Sequence, residues 1–215
     1  MRTPDDVPAA GELVARRVGP VEALAGDAGL LIEAAGRMAD RFERGGKLIV
    51  FGSGGPGTDA QHVAVEFMHP VIIGKPALPA VSLTADVATL TAVAGRAGLP
   101  EVFAHQMRVI AEPADIALGI GADGDCPTVR RGLGEAAGLG LLTVALLGGA
   151  DTAGEWSDVD VPLFARSADP RVVKEVHVTA YHLLWELVHV FLRAPGLPGA
   201  RTAAGRPSVG AGSRS

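Results

Sequence analysis

Apolar and polar positions in the first part of the chain repeat with the period of an α-helix. Between residues 11 and 44, large apolar residues recur seven or four positions apart, with alanines between them. They are Leu24, Leu31, Met38 and Phe42. This spacing predicts N-terminal helices. Gly19–Pro20 is expected to separate two of them, and Gly45–Gly46 to end the second.

Short, continuously apolar segments then alternate with helix-like segments. The predicted strands cover residues 47–53, 79–84, 116–121, 141–148 and 159–165. The predicted helices cover residues 58–69, a segment from about 86, and residues 100–110, 127–140 and 170–193. Strands without polar alternation are buried on both faces, as in parallel sheets covered by helices. The pattern therefore predicts an α/β fold, with a five-stranded parallel sheet in a three-layer α-β-α sandwich and a long C-terminal helix.

The pattern also predicts the domain organisation. Residues 10–195 are expected to form a single domain, in which residues 10–45 supply N-terminal oligomerisation helices. Residues 1–9 are expected to be a flexible leader. Residues 196–215 are rich in Gly, Ser and Pro, a composition typical of a disordered tail.

Composition narrows the function classes. The net charge is −5 and no basic stretch stands out, which argues against a nucleic-acid partner. Cys126 is the single cysteine, so an intrachain disulfide is impossible and a reducing compartment is favoured. The N-terminus has early acidic residues and no long apolar segment, and no apolar run reaches the length of a membrane span. We therefore expect a cytoplasmic protein with no membrane partner.

In an open parallel sheet, ligands bind at the carboxyl ends of the strands. Four segments are predicted to lie there: Gly52–Thr58, Thr84–Asp86, Gly121–Cys126 and Gly148–Thr152. The first is rich in glycine and precedes a helix, so that its backbone N–H groups can face an anion or a sugar. A tight strand–helix turn with no ligand explains such glycines equally well. The segment lacks the Lys-Ser/Thr of a nucleotide-binding P-loop and is not a clean G-x-G-x-x-G.

A spacing of His and Glu occurs twice in the chain. His62 and Glu66 lie one helical turn apart, as do His182 and Glu186. Each pair is followed three residues later by another histidine, His69 or His189, which makes H-x-x-x-E-x-x-H in both places. Glu-x-x-His on two helices is typical of di-metal carboxylate sites. Helix-end or interface histidines are the simpler interpretation, chiefly for the second histidine of each pattern.

These motifs together resemble the sugar isomerase (SIS) domain family. The residues that carry the resemblance are G-S-G-G-x-x-x-D-A-x-H-x-A-x-E at Gly52–Glu66, LTADVATLTAV around Asp86 and KEVHVTAYHLL in the last helix. The chain is most similar to the phosphoheptose isomerase branch, which interconverts sedoheptulose 7-phosphate and a heptose 7-phosphate. The likeness extends from about Pro20 to Leu192. It implies a flavodoxin-like sheet order and a homo-oligomer, most simply a tetramer.

The resemblance also implies a reaction and a site. Glu66 would be the base and His182 the acid of an aldose–ketose isomerisation through an enediol. Zinc would be held by His62, Glu66 and His182, with a glutamine that is Lys174 here. Imidazole and carboxylate groups suit zinc. The sugar or sugar phosphate would be bound by Ser53, Gly54, Gly55, Thr58, Asp59, Asp86, Asp123 and Asp125.

Three positions depart from the family pattern. The Ser/Thr-rich phosphate turn S-T-S-G-N-S is here residues 121–126, GADGDC, which has two carboxylates and no hydroxyl group. A phosphate close to either carboxylate would be repelled by about 1–4 kcal/mol per close pair. Pro56 replaces a serine in the first loop, and Lys174 can ligate a metal only as the neutral amine. Lys174 could instead be an ordinary solvent-facing lysine, or its charge could replace the metal and pair with Glu66. In the turn, Asp125 or Cys126 could cap the next helix, and Cys126 is either a reactive thiol or a buried one.

Three functions remain open on the sequence alone. The first is an isomerase acting on a sugar or sugar phosphate, supported by Glu66, His182 and the glycine loop. The second is a non-catalytic scaffold with a protein partner, since the family includes tetrameric adaptors that bind a replication initiator. The third is a metal-binding protein that uses His62, Glu66 and His182.

Overall fold

A parallel sheet forms the centre of the computed structural model, which describes residues 10–149 and 156–194. Its strands are β1 Leu48–Gly52, β2 Ala80–Ser82, β3 Ile116–Gly121, β4 Leu142–Gly148 and β5 Val161–Ala165. Their order is β2-β1-β3-β4-β5, and every neighbouring pair is parallel. All residues of β1, β3 and β4 are buried, as continuous apolar strands require. The predicted parallel α/β sheet is confirmed.

Helices cover both faces of the sheet. They are α1 Ala10–Gly26, α2 Ala28–Glu43, α3 Gly55–Met68, α4 Val87–Ala97, α5 Glu101–Ile110, α6 Pro127–Gly138 and α7 Pro170–Arg193. One apolar core joins the sheet to α1, α2, α3 and α7, and the other joins it to α4, α5 and α6. The three-layer sandwich follows, because each sheet face buries its own set of apolar side chains.

The order of the strands determines where a ligand can enter. From β1 the chain crosses to β2 on one side and then returns to β3 on the other side. The turns that follow β1 and β3 therefore lead away from each other and leave a crevice at the carboxyl edge. The glycine loop at residues 52–58 and the turn at residues 121–126 border that crevice.

The boundary between the first two helices differs from the sequence-based expectation. Pro20 lies inside α1, and the two helices are separated at Asp27 instead. Pro20 leaves the carbonyl of Arg16 without its helical donor, but Arg16 is exposed, so water can satisfy that group. At the actual boundary, the guanidinium of Arg166 donates to both carboxylate oxygens of Asp27.

The predicted leader at residues 1–9 and tail at residues 196–215 lie outside the described residues. The single-domain boundaries therefore stay a prediction. Within the described ranges, no helix combines the length and the apolar character that crossing a membrane requires. A cytoplasmic location also stays a prediction.

Candidate active site

The glycine loop is shaped by close backbone contacts. A Cβ atom on Gly52 would lie 2.7 Å from the carbonyl oxygen of Ile120, on the neighbouring strand. Gly54 has φ +67°, a backbone conformation that side chains disfavour, and α3 begins at the next residue. The loop therefore turns tightly from β1 into α3. This directs the N-terminus of α3 toward the crevice.

Two clefts meet at Ser53, the first residue after β1. One, of about 350 Å³, is lined by the glycine loop together with Thr58, Gln61 and Thr84. The other, of about 330 Å³, is lined by Asp123, Asp125, Cys126 and Thr128, among others. The hydroxyl groups of Ser53 and Thr128 lie 2.8 Å apart and connect the two turns across the crevice. Thr128 was not predicted, because it follows the turn and reaches the cleft only through the first turn of α6.

The side chains of His62, Glu66 and His182 converge where α3 packs on α7, and none of the three is among the residues that line the two clefts. One ligand atom from each lies within 4.8 Å of the other two. His62 and Glu66 come from one face of α3, with Nε2 of His62 3.2 Å from Oε1 of Glu66, and His182 comes from α7. The two imidazole rings lie edge to face at 5.3 Å. The structure thus brings together the three residues predicted as catalytic or metal ligands.

Polar contacts hold α7 against α3 at successive turns. The Tyr181 hydroxyl lies 2.8 Å from Nδ1 of His62. One turn later, the indole N–H of Trp185 donates to the backbone carbonyl of Glu66 at 2.9 Å. Burial, followed by the carboxylates of Asp59 and Glu66, raises the pKa of Tyr181 above its ordinary value, so this hydroxyl keeps its proton. Sequence reasoning missed both aromatic residues, although the one tyrosine of the chain directly precedes His182.

One hypothesis from the sequence paired Lys174 with Glu66, but in the structure Lys174 pairs with Asp59 instead. Its ammonium group lies 2.5 Å from Oδ1 of Asp59 and 3.4 Å from the hydroxyl of Thr58, both in the first turns of α3. The Asp59 side chain is only 6% exposed, whereas that of Lys174 is 49% exposed. A buried carboxylate needs a partner, so it is Asp59 that places the lysine.

The second H-x-x-x-E-x-x-H pattern does not form a second site. Glu186 is exposed and does not join the cluster. His189 is fully buried, and its ring nitrogens lie 2.8 Å and 3.1 Å from the carbonyl oxygens of Trp185 and Pro76. His189 therefore fastens the loop before β2 to α7. The simpler structural interpretation holds for this histidine, and the di-metal arrangement is wrong for the described residues.

A carboxylate of the chain itself organises the turn after β3. Oδ1 of Asp123 accepts the backbone N–H of Asp125 at 3.2 Å and the thiol of Cys126 at 3.0 Å. Cys126 is the N-cap of α6 and makes no capping bond with its own side chain. Two donors that an incoming anion would use are thus already bound to Asp123. The turn has the position of a phosphate turn but not its electrostatics.

Two other predicted acidic positions also have partners within the chain. Asp86 caps α4 by accepting the backbone N–H of Thr89 at 3.1 Å and its hydroxyl at 2.6 Å. These bonds hold the pKa of Asp86 below its usual value. Near Asp59, His177 is buried with Nε2 unpartnered, and burial lowers its pKa. A sugar would have to share Asp86 with Thr89, and Asp59 with Lys174.

The Cys126 thiol should react slowly with alkylating reagents at neutral pH. Burial, followed by the hydrogen bond to Asp123, raises its pKa from 9.0 to about 11. Because only the thiolate attacks, we expect labelling by iodoacetamide at least about tenfold slower than for an unfolded chain. Asp123→Asn should accelerate labelling of the folded protein, followed by mass spectrometry. Equal rates for folded and unfolded protein would contradict this assignment.

Lys174 and Asp59 should be energetically coupled. Lys174→Met leaves a buried carboxylate without its cation, so we expect the free energy of unfolding in urea to fall by about 1–3 kcal/mol. Asp59→Asn together with Lys174→Met should cost less than the sum of the two single changes, because no charge is then left unpaired. Additive costs would show that the contact does not matter to stability.

Comparison with known proteins agrees with this architecture. The SIS domain family profile matches residues 21–148. The chain is 38% identical over 166 residues to a phosphoheptose isomerase of Desulfovibrio desulfuricans, covering 76% of this chain and 77% of the relative. It is 36% identical over 183 residues to that of Pelobacter propionicus, covering 85% and 92%.

Solved structures lead to the same fold. A phosphoheptose isomerase from Francisella tularensis superposes with a TM-score of 0.75 at 29% identity, covering 87% of this chain and 98% of that one. One from Neisseria gonorrhoeae has a TM-score of 0.76 at 24% identity, covering 84% and 96%. The sheet order and the superposition on a solved phosphoheptose isomerase define an α/β protein with a sugar isomerase architecture. The chain belongs to the SIS domain family, as predicted, and is a phosphoheptose isomerase-like member of it.

Proposed function

We propose that this protein is an aldose–ketose isomerase that acts on a sugar phosphate, or on a related sugar, through an enediol. The observation that carries the proposal is the convergence of Glu66, His62 and His182 within 4.8 Å, in a chain whose relatives are named phosphoheptose isomerases. A carboxylate beside an imidazole is what proton transfer between adjacent carbons of a sugar requires.

Glu66 is the proposed base. It removes the proton on the carbon next to the carbonyl group and returns it to the neighbouring carbon after the enediol has formed. Its side chain is 18% exposed and lies beside Nε2 of His62, so its position is held while one side stays open to a ligand. His182 is exposed at the same place and is the proposed acid, passing a proton to the carbonyl oxygen and taking one from the hydroxyl.

The same three side chains suit a metal ion, and zinc is the metal we propose. Two imidazoles and a carboxylate with one position left open match catalytic zinc sites, and the remaining nitrogen of His62 has the hydrogen-bond partner that such ligands usually have. Bound zinc would polarise the substrate carbonyl. Lys174 is not a fourth ligand in this proposal, because its ammonium group is held by Asp59.

The proposed substrate contacts lie along the crevice at the carboxyl edge of the sheet. Ser53, Gly54, Gly55 and Thr58 supply hydroxyl and backbone groups at the start of α3, where Ser53, Gly54 and Thr58 line the first cleft. Asp59 follows Thr58 in α3 and Asp86 caps α4, and both are further proposed contacts. Asp123 and Asp125 line the second cleft, where they favour sugar hydroxyl groups over a phosphate dianion. A sugar phosphate is therefore expected to bind less tightly here than at a Ser/Thr-rich turn.

We also propose that the protein is a homotetramer. Several apolar side chains of α1, α3 and the following loop are exposed in the single chain: Val14, Val18, Val65, Met68, Val71 and Ile73. Exposed apolar groups next to one another are typical of subunit interfaces.

A non-catalytic scaffold with a protein partner, or a protein that only binds metal, is less favoured, because neither function requires a base and an acid placed together.

The test is to incubate the purified protein with sedoheptulose 7-phosphate, with and without zinc, and to follow the sugar by NMR. We expect interconversion with a heptose 7-phosphate and a higher melting temperature in the presence of the sugar phosphate. The absence of both turnover and a shift in melting temperature would overturn the proposal for this substrate.

Size-exclusion chromatography with light scattering tests the tetramer.

Removing one charge from the acidic turn should improve binding of a sugar phosphate. Asp125 is exposed and lines the second cleft, so Asp125→Asn preserves its size while removing a negative charge. We expect KM for the sugar phosphate to fall by about fivefold, since one charge at about 4 Å is worth about 1 kcal/mol in water. The KM for an unphosphorylated sugar should stay the same. Equal KM changes for both sugars would contradict a charge effect.

A further inference from the structure

We infer that Tyr181 is a positioning residue that sets which nitrogen of His62 faces Glu66 and His182. Its hydroxyl lies 2.8 Å from Nδ1 of His62, and its ring meets both imidazoles edge to face, at 5.4 Å from His62 and 4.8 Å from His182. The Tyr181 side chain is otherwise buried, with 1% of the residue exposed. Its hydroxyl therefore reaches the site from a fixed position. The inference rests on the proposed function only in placing Tyr181 at the same site.

The hydrogen bonds around His62 determine its tautomer. Nε2 lies 3.2 Å from a carboxylate oxygen of Glu66, and an ionised carboxylate only accepts hydrogen bonds. In the neutral ring Nε2 therefore carries the proton and Nδ1 carries the lone pair. The Tyr181 hydroxyl then donates to Nδ1. Of the two neutral tautomers, only this one satisfies both ring nitrogens, and the ring cannot flip without losing both bonds.

The same contact serves the site when a metal replaces the proton. A metal on Nε2 requires that the proton of His62 sit on Nδ1, which must then donate. The Tyr181 hydroxyl can accept as readily as it donates, so it satisfies Nδ1 in both states. Partners of this kind orient ligating histidines, and their loss typically lowers metal affinity about 10- to 100-fold. A phenylalanine would satisfy neither state.

Trp185 provides the matched control. It lies one turn further along α7, is 6% exposed and also donates a hydrogen bond from α7 to α3. Its acceptor is the backbone carbonyl of Glu66 rather than an imidazole. A general loosening of the two helices should follow from losing either bond. The Tyr181 hydroxyl holds the ring in the orientation in which Nε2 faces Glu66. Without that hydroxyl the ring can turn away from Glu66, so a mixture of His62 tautomers should follow only from losing it.

The deciding measurement is the imidazole nitrogen spectrum of His62 in ¹⁵N-labelled, metal-free protein, at a pH where the ring is neutral. We expect wild type and Trp185→Phe to show one tautomer with the proton on Nε2, and Tyr181→Phe to show a mixture of tautomers. A wild-type ring with its proton on Nδ1 would overturn the inference even if the variant did not fold. A single Nε2–H tautomer in folded Tyr181→Phe would overturn it as well.

Zinc affinity is the second readout, measured by competition with a chromophoric chelator. Tyr181→Phe should bind zinc about tenfold more weakly than wild type, while Trp185→Phe binds it equally well. Equal affinities for wild type and Tyr181→Phe would overturn the proposed role toward the metal. Should wild type bind no zinc, the zinc assignment in the proposed function fails, and the tautomer spectrum still decides the role of Tyr181.

Discussion

Replacing Glu66 with glutamine should reduce isomerase turnover by about 10²- to 10⁴-fold, the usual contribution of a positioned acid or base. The amide keeps the size of the side chain but cannot accept a proton. Glu66 is the carboxylate that lies within 4.8 Å of both His62 and His182. The rate is measured by NMR with the sugar phosphate that wild type converts. KM should change much less than kcat, because proton removal belongs to the chemical step.

Glu186→Gln is the matched control for this change. Glu186 has the same spacing from His182 that Glu66 has from His62, but it is exposed and lies outside the cluster. We expect this variant to keep the wild-type rate and melting temperature. A similar loss of rate in both variants would mean that Glu66 is not the base.

Replacing Gly148 with alanine should destabilise the protein and displace the turn after β3. Gly148 is the last residue of β4, and a Cβ atom there would lie 2.1 Å from the carbonyl oxygen of Ala122 and 2.7 Å from Val173. Because the nearer group is backbone, the turn itself must move. We expect a loss of about 1–3 kcal/mol or more. For a chain of this size the melting temperature should fall by about 2–4 °C per kcal/mol.

Gly134→Ala separates this effect from the general consequences of losing a glycine. Gly134 is exposed in α6, and a Cβ atom there would meet nothing within 4 Å. Alanine is the better helix former by about 0.5–1 kcal/mol, so this variant should be as stable as wild type or more so. Equal melting temperatures for the two variants would show that the contact between β4 and the turn does not constrain the fold.

The sheet was predictable because it depends on local sequence patterns. Five continuous apolar segments separated by helix-length segments leave few arrangements other than a parallel, doubly covered sheet. The helix break expected at Gly19–Pro20 was wrong, because the rule that proline ends a helix depends on local sequence alone. The rule does not take into account that Arg16, whose carbonyl loses its donor, is exposed to water. Helix ends that depend on tertiary partners, such as Asp27 with Arg166, are outside what local spacing indicates.

The candidate site was predictable in part. His62 and Glu66 are one turn apart on any helix, so their pairing needed no tertiary information. That His182 joins them, and that the identically spaced Glu186 does not, depends on how α7 packs on α3. The same packing placed Lys174 beside Asp59, which the spacing of eight residues between Lys174 and His182 could not indicate.

The sequence by itself determined the parallel sheet and the glycine loop, because each of these follows from residues that are close in the chain. It also determined the family, because the three motifs that carry the resemblance can be recognised without knowing how they pack. Only the tertiary structure decided which partner each polar group has. Lys174 binds Asp59, Tyr181 binds His62, and Asp123 takes up donors of its own turn. The physical reason is that a buried polar group needs a hydrogen-bond partner. For Lys174 and Tyr181 the nearest partner in space comes from a distant segment of the chain, and for Asp123 it comes from its own turn.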